Sequence, residues 1–87
     1  MPEHLYFDLG QQSRGAVVEV GLDNRAAVRL LDDTNYSLYK RGVNFYEYGG
    51  WAVQSPARVV IPSAGHWNLA LDLNGGSGSI NATVNVR

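Results

Sequence analysis

The chain has 87 residues, of which 45% are hydrophobic and 17% charged, with a net charge of −1 at pH 7. A hydrophobic core commonly organises about 50–200 residues, so residues 1–87 are read as a single domain, and the apolar content excludes wholesale disorder. Seven basic and eight acidic residues create no field for nucleic acid or an anionic membrane, and the lack of cysteine excludes a disulfide framework, a thiolate nucleophile and a cysteine zinc site.

The opening Met-Pro-Glu-His-Leu-Tyr has neither the basic start nor the apolar stretch of a signal peptide. No apolar run approaches the roughly 20 residues of a membrane span, so a cytoplasmic protein without a membrane partner is expected. Leu5, Phe7 and Leu9 predict a short first strand ending at Gly10. Ala16, Val18, Val20 and Leu22 then alternate with smaller or polar residues, Asp23-Asn24 supplies turn chemistry, and Ala26, Val28 and Leu30 resume the alternation. A hairpin is the expected result.

The next segment, LDDTNYSLYKRG, lacks the period of a strand. Asp33 is the predicted N-cap, Lys40 and Arg41 suit the negative end of a helix dipole, and Gly42 can take the left-handed position past the last turn. One short helix of about two turns is predicted near residues 33–41. The stretch NFYEYGGW follows, and Gly49-Gly50 read as its two-residue hairpin turn. Tyr46 and Tyr48 share one face of the strand before that turn.

Val59 and Ile61 predict a strand bounded by Pro56 and Pro62. Trp67, Leu69, Leu71 and Leu73 give the clearest period of two, separated by the turn-rich 74–79 loop from Ile80, Ala82, Val84 and Val86. A second antiparallel hairpin is expected there. The fold class is therefore mainly β: an antiparallel β-sandwich of about seven or eight short strands with one short helix.

Chemistry is less legible. Two histidines and no nucleophile-elbow or phosphate-loop pattern leave no catalytic residue, metal site or cofactor to predict. His66, Asn68 and Asp72 should lie opposite Trp67, on what is most simply the solvated face of an outer strand. A hydrolase would have to combine His66 with Asp32, Asp33 or Asp72, whose sequence separations say nothing of proximity.

Four of the five tyrosines fall between Tyr36 and Tyr48, and tyrosine suits interfaces because it joins a rigid apolar ring to a hydroxyl. The competing reading is that Tyr36 and Tyr39, at helical spacing, pack the helix onto the sandwich. The expected function is a non-enzymatic binding or assembly module, with a protein partner or self-association through Tyr36, Tyr39, Tyr46 and Tyr48. The alternative is a small-ligand or carbohydrate site in which Trp51 and Tyr48 form a stacking platform beside His66, Asn68 and Asp72.

Taken in order, LDDTNYSLYKRG, YEYGG and SPARVVIPSAGHWNLALDLNGG make the chain resemble a small, mostly bacterial family of unknown function, domain of unknown function eighteen eighty-three, from about residue 17 to 86. That resemblance implies a compact β-sandwich that occurs alone or ahead of a TIR domain, and an accessory role in sensing or assembly. It brings no catalytic residues with it.

Overall fold

Two of the five crossings between the sheets of this molecule fall where the sequence predicts hairpins. The computed structural model describes residues 4–76 and 78–87; the Met-Pro-Glu start and Ser77 of the predicted 74–79 loop lie outside the described residues. Its elements are β1 (Leu5–Gln12), β2 (Val17–Leu22), β3 (Ala26–Asp32), α1 (Asp33–Lys40), β4 (Tyr48–Ala52), β5 (Ala57–Val60), β6 (Gly65–Asp72) and β7 (Ala82–Val86). Four strands form one sheet in the order β1-β6-β3-β4, and three form the other in the order β5-β2-β7. Every pairing is antiparallel.

Strands β2 and β3 do not pair. β2 lies between β5 and β7, while β3 lies between β6 and β4, so the chain crosses the sandwich at residues 23–25. The same is true of β6 and β7. Both expected hairpins are arches, because an alternating strand buries the same face whether its neighbour in sequence joins its own sheet or the facing one. Asp23 ties the two crossings together: its carboxylate accepts from the Asn81 backbone N–H at 3.2 Å and from Asn81 Nδ2 at 2.9 Å.

Val18, Val20, Val28, Leu30, Ile61, Trp67, Leu69 and Leu71 fill the space between the sheets. Phe7, Leu9, Tyr48 and Val59 pack around them. A smaller core of Leu31, Tyr39 and Ala70, flanked by Tyr36 and Phe45, lies under α1 on the outer face of the four-stranded sheet. The architecture is thus sheet on sheet, with a helix as a partial third layer. That third layer is why β3 and β6 are buried on both faces.

The helix begins one residue earlier in its cap than predicted. Asp32, in extended conformation, accepts the Asn35 backbone N–H at 2.8 Å, so Asp32 and not Asp33 is the N-cap. Asn35 uses both ends of its amide: Nδ2 donates to the same Asp32 oxygen, and Oδ1 accepts from the Tyr46 N–H at 2.7 Å. The helix is thereby fastened to the segment that follows it. At the other end Gly42, at φ 72°, closes the helix as predicted. Its N–H donates to the Tyr39 carbonyl and that of Val43 to the Leu38 carbonyl, the paired bonds of a Schellman motif.

Gly49 and Gly50 form no turn. They lie inside β4, paired with Arg29 and Val28 of β3. Gly49 sits at φ 106°, and a Cβ there would collide with the Val28 carbonyl oxygen, so glycine serves close strand approach instead of chain reversal. Gly10 likewise ends nothing: β1 runs through it to Gln12, with a bulge between Asp8 and Gly10.

Candidate functional site

The outer face of the four-stranded sheet carries two polar clusters and one groove. The first cluster grows from Arg29, the sole charged side chain within the apolar run AAVRLL of β3. Its Nε donates to Asp72 Oδ2 at 2.8 Å across to β6, and Nη1 donates to Glu47 Oε2 at 2.5 Å. Nη2 reaches Asp72 Oδ1 at 3.4 Å and Asn74 Oδ1 at 3.3 Å. Asp72 also accepts from the Tyr39 hydroxyl at 2.5 Å and from the Asn74 N–H at 2.8 Å.

Burial alone would raise the Asp72 carboxyl, but bonds from Arg29 and Tyr39 outweigh it and hold the group below the ordinary carboxylate range. Burial, with the bond to Asp72 added, pushes the Tyr39 hydroxyl well up. Burial would lower the Arg29 guanidinium, yet its bonds to Asp72 and Glu47 raise it. The cluster is charged, saturated and fixed. Among the described residues, no buried side-chain polar atom lacks a hydrogen-bond partner.

The second cluster centres on His66. Its Nδ1 lies 2.6 Å from Asp33 Oδ1, at the first turn of α1, and its Nε2 lies 2.7 Å from Asp8 Oδ1, at the β1 bulge. Asp33 Oδ1 also accepts from Asn68 Nδ2 at 2.8 Å, and Asn68 Oδ1 accepts from the Tyr6 hydroxyl at 2.7 Å. The bond to Asp33, then that to Asp8, raises the His66 imidazole above its usual value. The Asp8 carboxyl is lowered by the Gly10 N–H and then by His66, and that of Asp33 by Asn68 and then by His66.

Over the first cluster runs an open groove of about 1550 Å³. The largely buried Tyr39, Arg29 and Asp72 floor it; Tyr6 stacked on Tyr36 makes a wall, and Leu5, Val43 and Phe45 also line it. Tyr6 and Tyr36 stack at 4.7 Å between centroids and 16° between planes, and Lys40 Nζ stands 4.6 Å from the Tyr36 centroid. Leu5, Tyr6 and Val43 are the exposed large apolar side chains among its lining residues.

The residues picked from sequence separate on this surface. Tyr36 and Tyr39 pack the helix, Tyr39 being almost wholly buried, and both line the groove. Tyr48 turns into the sandwich core against Trp67, with centroids 5.8 Å apart. Tyr46 stands outside at 63% exposure and Trp51 at 51%, on or beside the edge strand β4 and away from the groove. The expected aromatic surface therefore does not form as one patch. Nor does the stacking platform, because Tyr48 faces the core while Trp51 faces solvent.

Asn68 and Asp72, expected on a solvated face, are 2% and 5% exposed, because α1 and the 43–47 segment cover that part of β6. Only His66 keeps substantial contact with solvent. Of the carboxylates considered with it, Asp33 meets His66, whereas Asp72 is held by Arg29 and Asp32 by the helix cap.

Arg29, Tyr6, Asp8 and Val43 escaped the sequence reading. Arg29 had a signal, a lone cation inside an apolar strand, which implies a buried partner. Asp8 had one too, alternating with Phe7 and Leu9 on the polar side of β1. Among the described residues, no group of three or more His, Asp or Glu side chains is arranged to hold a metal ion, and no helix is long and apolar enough to cross a membrane.

Comparison with known proteins places this chain in a family without assigning it an activity. No curated protein and no solved structure gives a significant match. The family model described as Domain of unknown function (DUF1883) matches residues 3–87, so the chain belongs to that family, and the match takes in β1 as well as the segments that carry the resemblance in sequence.

Proposed function

We propose that this member of a family of unknown function is a non-enzymatic binding module that receives an apolar side chain of a protein segment in the groove beside α1. The observation that carries this reading is the contrast between the groove's floor and its exposed lining. Arg29, Asp72 and Tyr39 spend their polar groups on one another, so the floor offers no free charge to an ionic ligand. Tyr6 and Val43, by contrast, line the groove and leave apolar surface exposed.

A segment that lays one large apolar residue between Tyr6 and Val43 would bury that surface without breaking any existing bond. Such recognition needs neither cofactor nor metal. A small-ligand or carbohydrate site has weaker support, since sugars are held by free donors and acceptors that this floor has already committed. Assembly, including self-association, is the form of binding this reading favours. The resemblance to a bacterial family that precedes TIR domains supplies the proposed setting, a cytoplasmic accessory role beside TIR-type defence or signalling.

Selection of displayed random peptides on the immobilised domain tests the reading. Enriched peptides should share a large apolar residue, and their binding should be lost in Val43→Glu and retained in Trp51→Ala. Enrichment indifferent to Val43→Glu would remove the groove as the site. Thermal stabilisation by saccharides, with no peptide enriched, would replace the reading with the small-ligand one.

A further inference from the structure

We infer that protonated His66 is a clasp fastening the bulge of β1 to the first turn of α1, and that it thereby governs the Tyr6–Tyr36 wall of the groove. Both ring nitrogens lie within short hydrogen-bond distance of a carboxylate oxygen, Nδ1 of Asp33 and Nε2 of Asp8. A neutral imidazole has one N–H and one acceptor nitrogen, and an ionised carboxylate only accepts. Two such contacts at once require an N–H on each nitrogen, which is the imidazolium.

The contacts around this ring form a circuit. Asp33 also holds Asn68, Asn68 holds the Tyr6 hydroxyl, and Tyr6 belongs to the same strand as Asp8. Tyr6 in turn stacks on Tyr36, one helical turn beyond Asp33. Among the described residues β1 is an edge strand paired with β6, and its register slips at the bulge where Asp8 sits. The groove-lining residues Leu5 and Tyr6 lie just before that slip. Sheet pairing holds one side of β1, and on the helix side the circuit through His66 supplements the Tyr6–Tyr36 stack.

The charged groups facing His66 are Asp8 from β1 and Asp33 from α1. Tyr6 lies beside them, and its hydroxyl is raised by burial and then by Asp8. On β3, Asp32 directs its carboxylate to the helix cap, and on β6 itself Asp72 is bound by Arg29. No cation competes for the two aspartates in any contact recorded among the described residues. Loss of one proton from His66 removes a donor from one carboxylate and leaves two negative groups facing across a neutral ring. The clasp then opens on one side.

The clasp stands on its own geometry, and only its effect on recognition rests on the groove reading. Nitrogen-15 NMR of the imidazole tests the first part. Below the titration midpoint both nitrogens should carry hydrogen-bonded protons, that midpoint should lie above the ordinary value of about 6.5, and Asp8→Asn should move it down. Exchange of the β1 amides that bond to β6 ahead of the bulge, corrected for intrinsic base catalysis, should accelerate as pH passes that midpoint in the wild type. In His66→Gln it should show no such step.

A midpoint at or below about 6.5, or one unmoved by Asp8→Asn, would overturn the clasp even in a fully folded protein. If the titration behaves as expected, affinity for the selected peptides should fall through the same midpoint in wild type and not in His66→Gln. An affinity that ignores this midpoint overturns the regulatory link. Absence of any peptide bound through Val43 overturns the groove reading and leaves the clasp standing.

Discussion

The Tyr39 hydroxyl donates to Asp72 Oδ2 at 2.5 Å, joining the helix to a strand 33 positions further along the chain. This bond caps a saturated carboxylate, because Asp72 already receives Arg29 and the Asn74 N–H. Tyr39→Phe keeps the ring that packs on Leu31 and Ala70 and removes only the donor. It should destabilise the fold by about 1.5–3 kcal/mol, the usual contribution of a hydrogen bond to a charged group, as read by urea unfolding. An unchanged unfolding midpoint would show that water replaces the hydroxyl.

Arg29 and Asp72 make a partly buried pair whose members depend on each other. Arg29→Met should destabilise more than Tyr39→Phe, since it leaves the Asp72 carboxylate with two donors and no cation. The loss should remain below the about 3–5 kcal/mol typical of a fully buried pair, because the groove admits water. The double variant Arg29→Met/Asp72→Leu should recover part of that loss. A double variant no more stable than Arg29→Met would argue against the pair as the cause.

The pH dependence of stability should have two limbs set by the His66 cluster. The His66 imidazole is raised on folding, so its contribution is fully present below about pH 6.5 and is lost as pH rises through the folded value. The Asp8 and Asp33 carboxyls are lowered, so theirs is present above the ordinary carboxylate range and is lost as pH falls through their folded values. Thermal melts of His66→Gln should lack the alkaline limb and show a reduced acid limb. An alkaline limb identical to the wild type would assign it to other groups.

Gly49 is the glycine of β4 that no other residue can replace without cost. Gly49→Ala must hold a side chain at φ 106° and move the Val28 carbonyl, so the cost should be at least the about 1–3 kcal/mol of a forced, sparsely populated conformation. The same substitution in a two-residue turn would be felt at the turn alone. Here, slowed or lost pairing of β3 with β4 should appear as fast exchange of the β4 amides that bond to β3. Protection equal to wild type in those amides would contradict the close approach.

Trp51 and Tyr46 should behave in the opposite way. Each is more than half exposed, so alanine at either position should change stability by within about 0.5 kcal/mol by thermal unfolding. A larger loss would show that their remaining contacts, including the Tyr46 ring on Tyr48, anchor the 43–47 segment.

The sequence by itself determined where the strands other than β4 lie and which of their faces is apolar; Gly49-Gly50, which reads as a turn, lies inside β4. Alternation such as Trp67, Leu69 and Leu71 follows directly from the two-residue repeat of an extended backbone, and those side chains are in the core. It also determined the helix and its Gly42 ending, because caps act through bonds within a few residues. Tertiary structure alone decided which strands pair. A hairpin and an arch bury the same face, so Asp23-Asn24 could not say that β2 and β3 belong to different sheets. It alone decided that Asn68 and Asp72 are buried, since polar residues opposite a core face normally meet water and here meet a helix. It also brought Asp8, Asp33 and His66 within bonding distance from three separate elements. Local geometry is written in neighbouring residues, whereas the polar clusters and the groove arise from contacts between segments far apart in the chain.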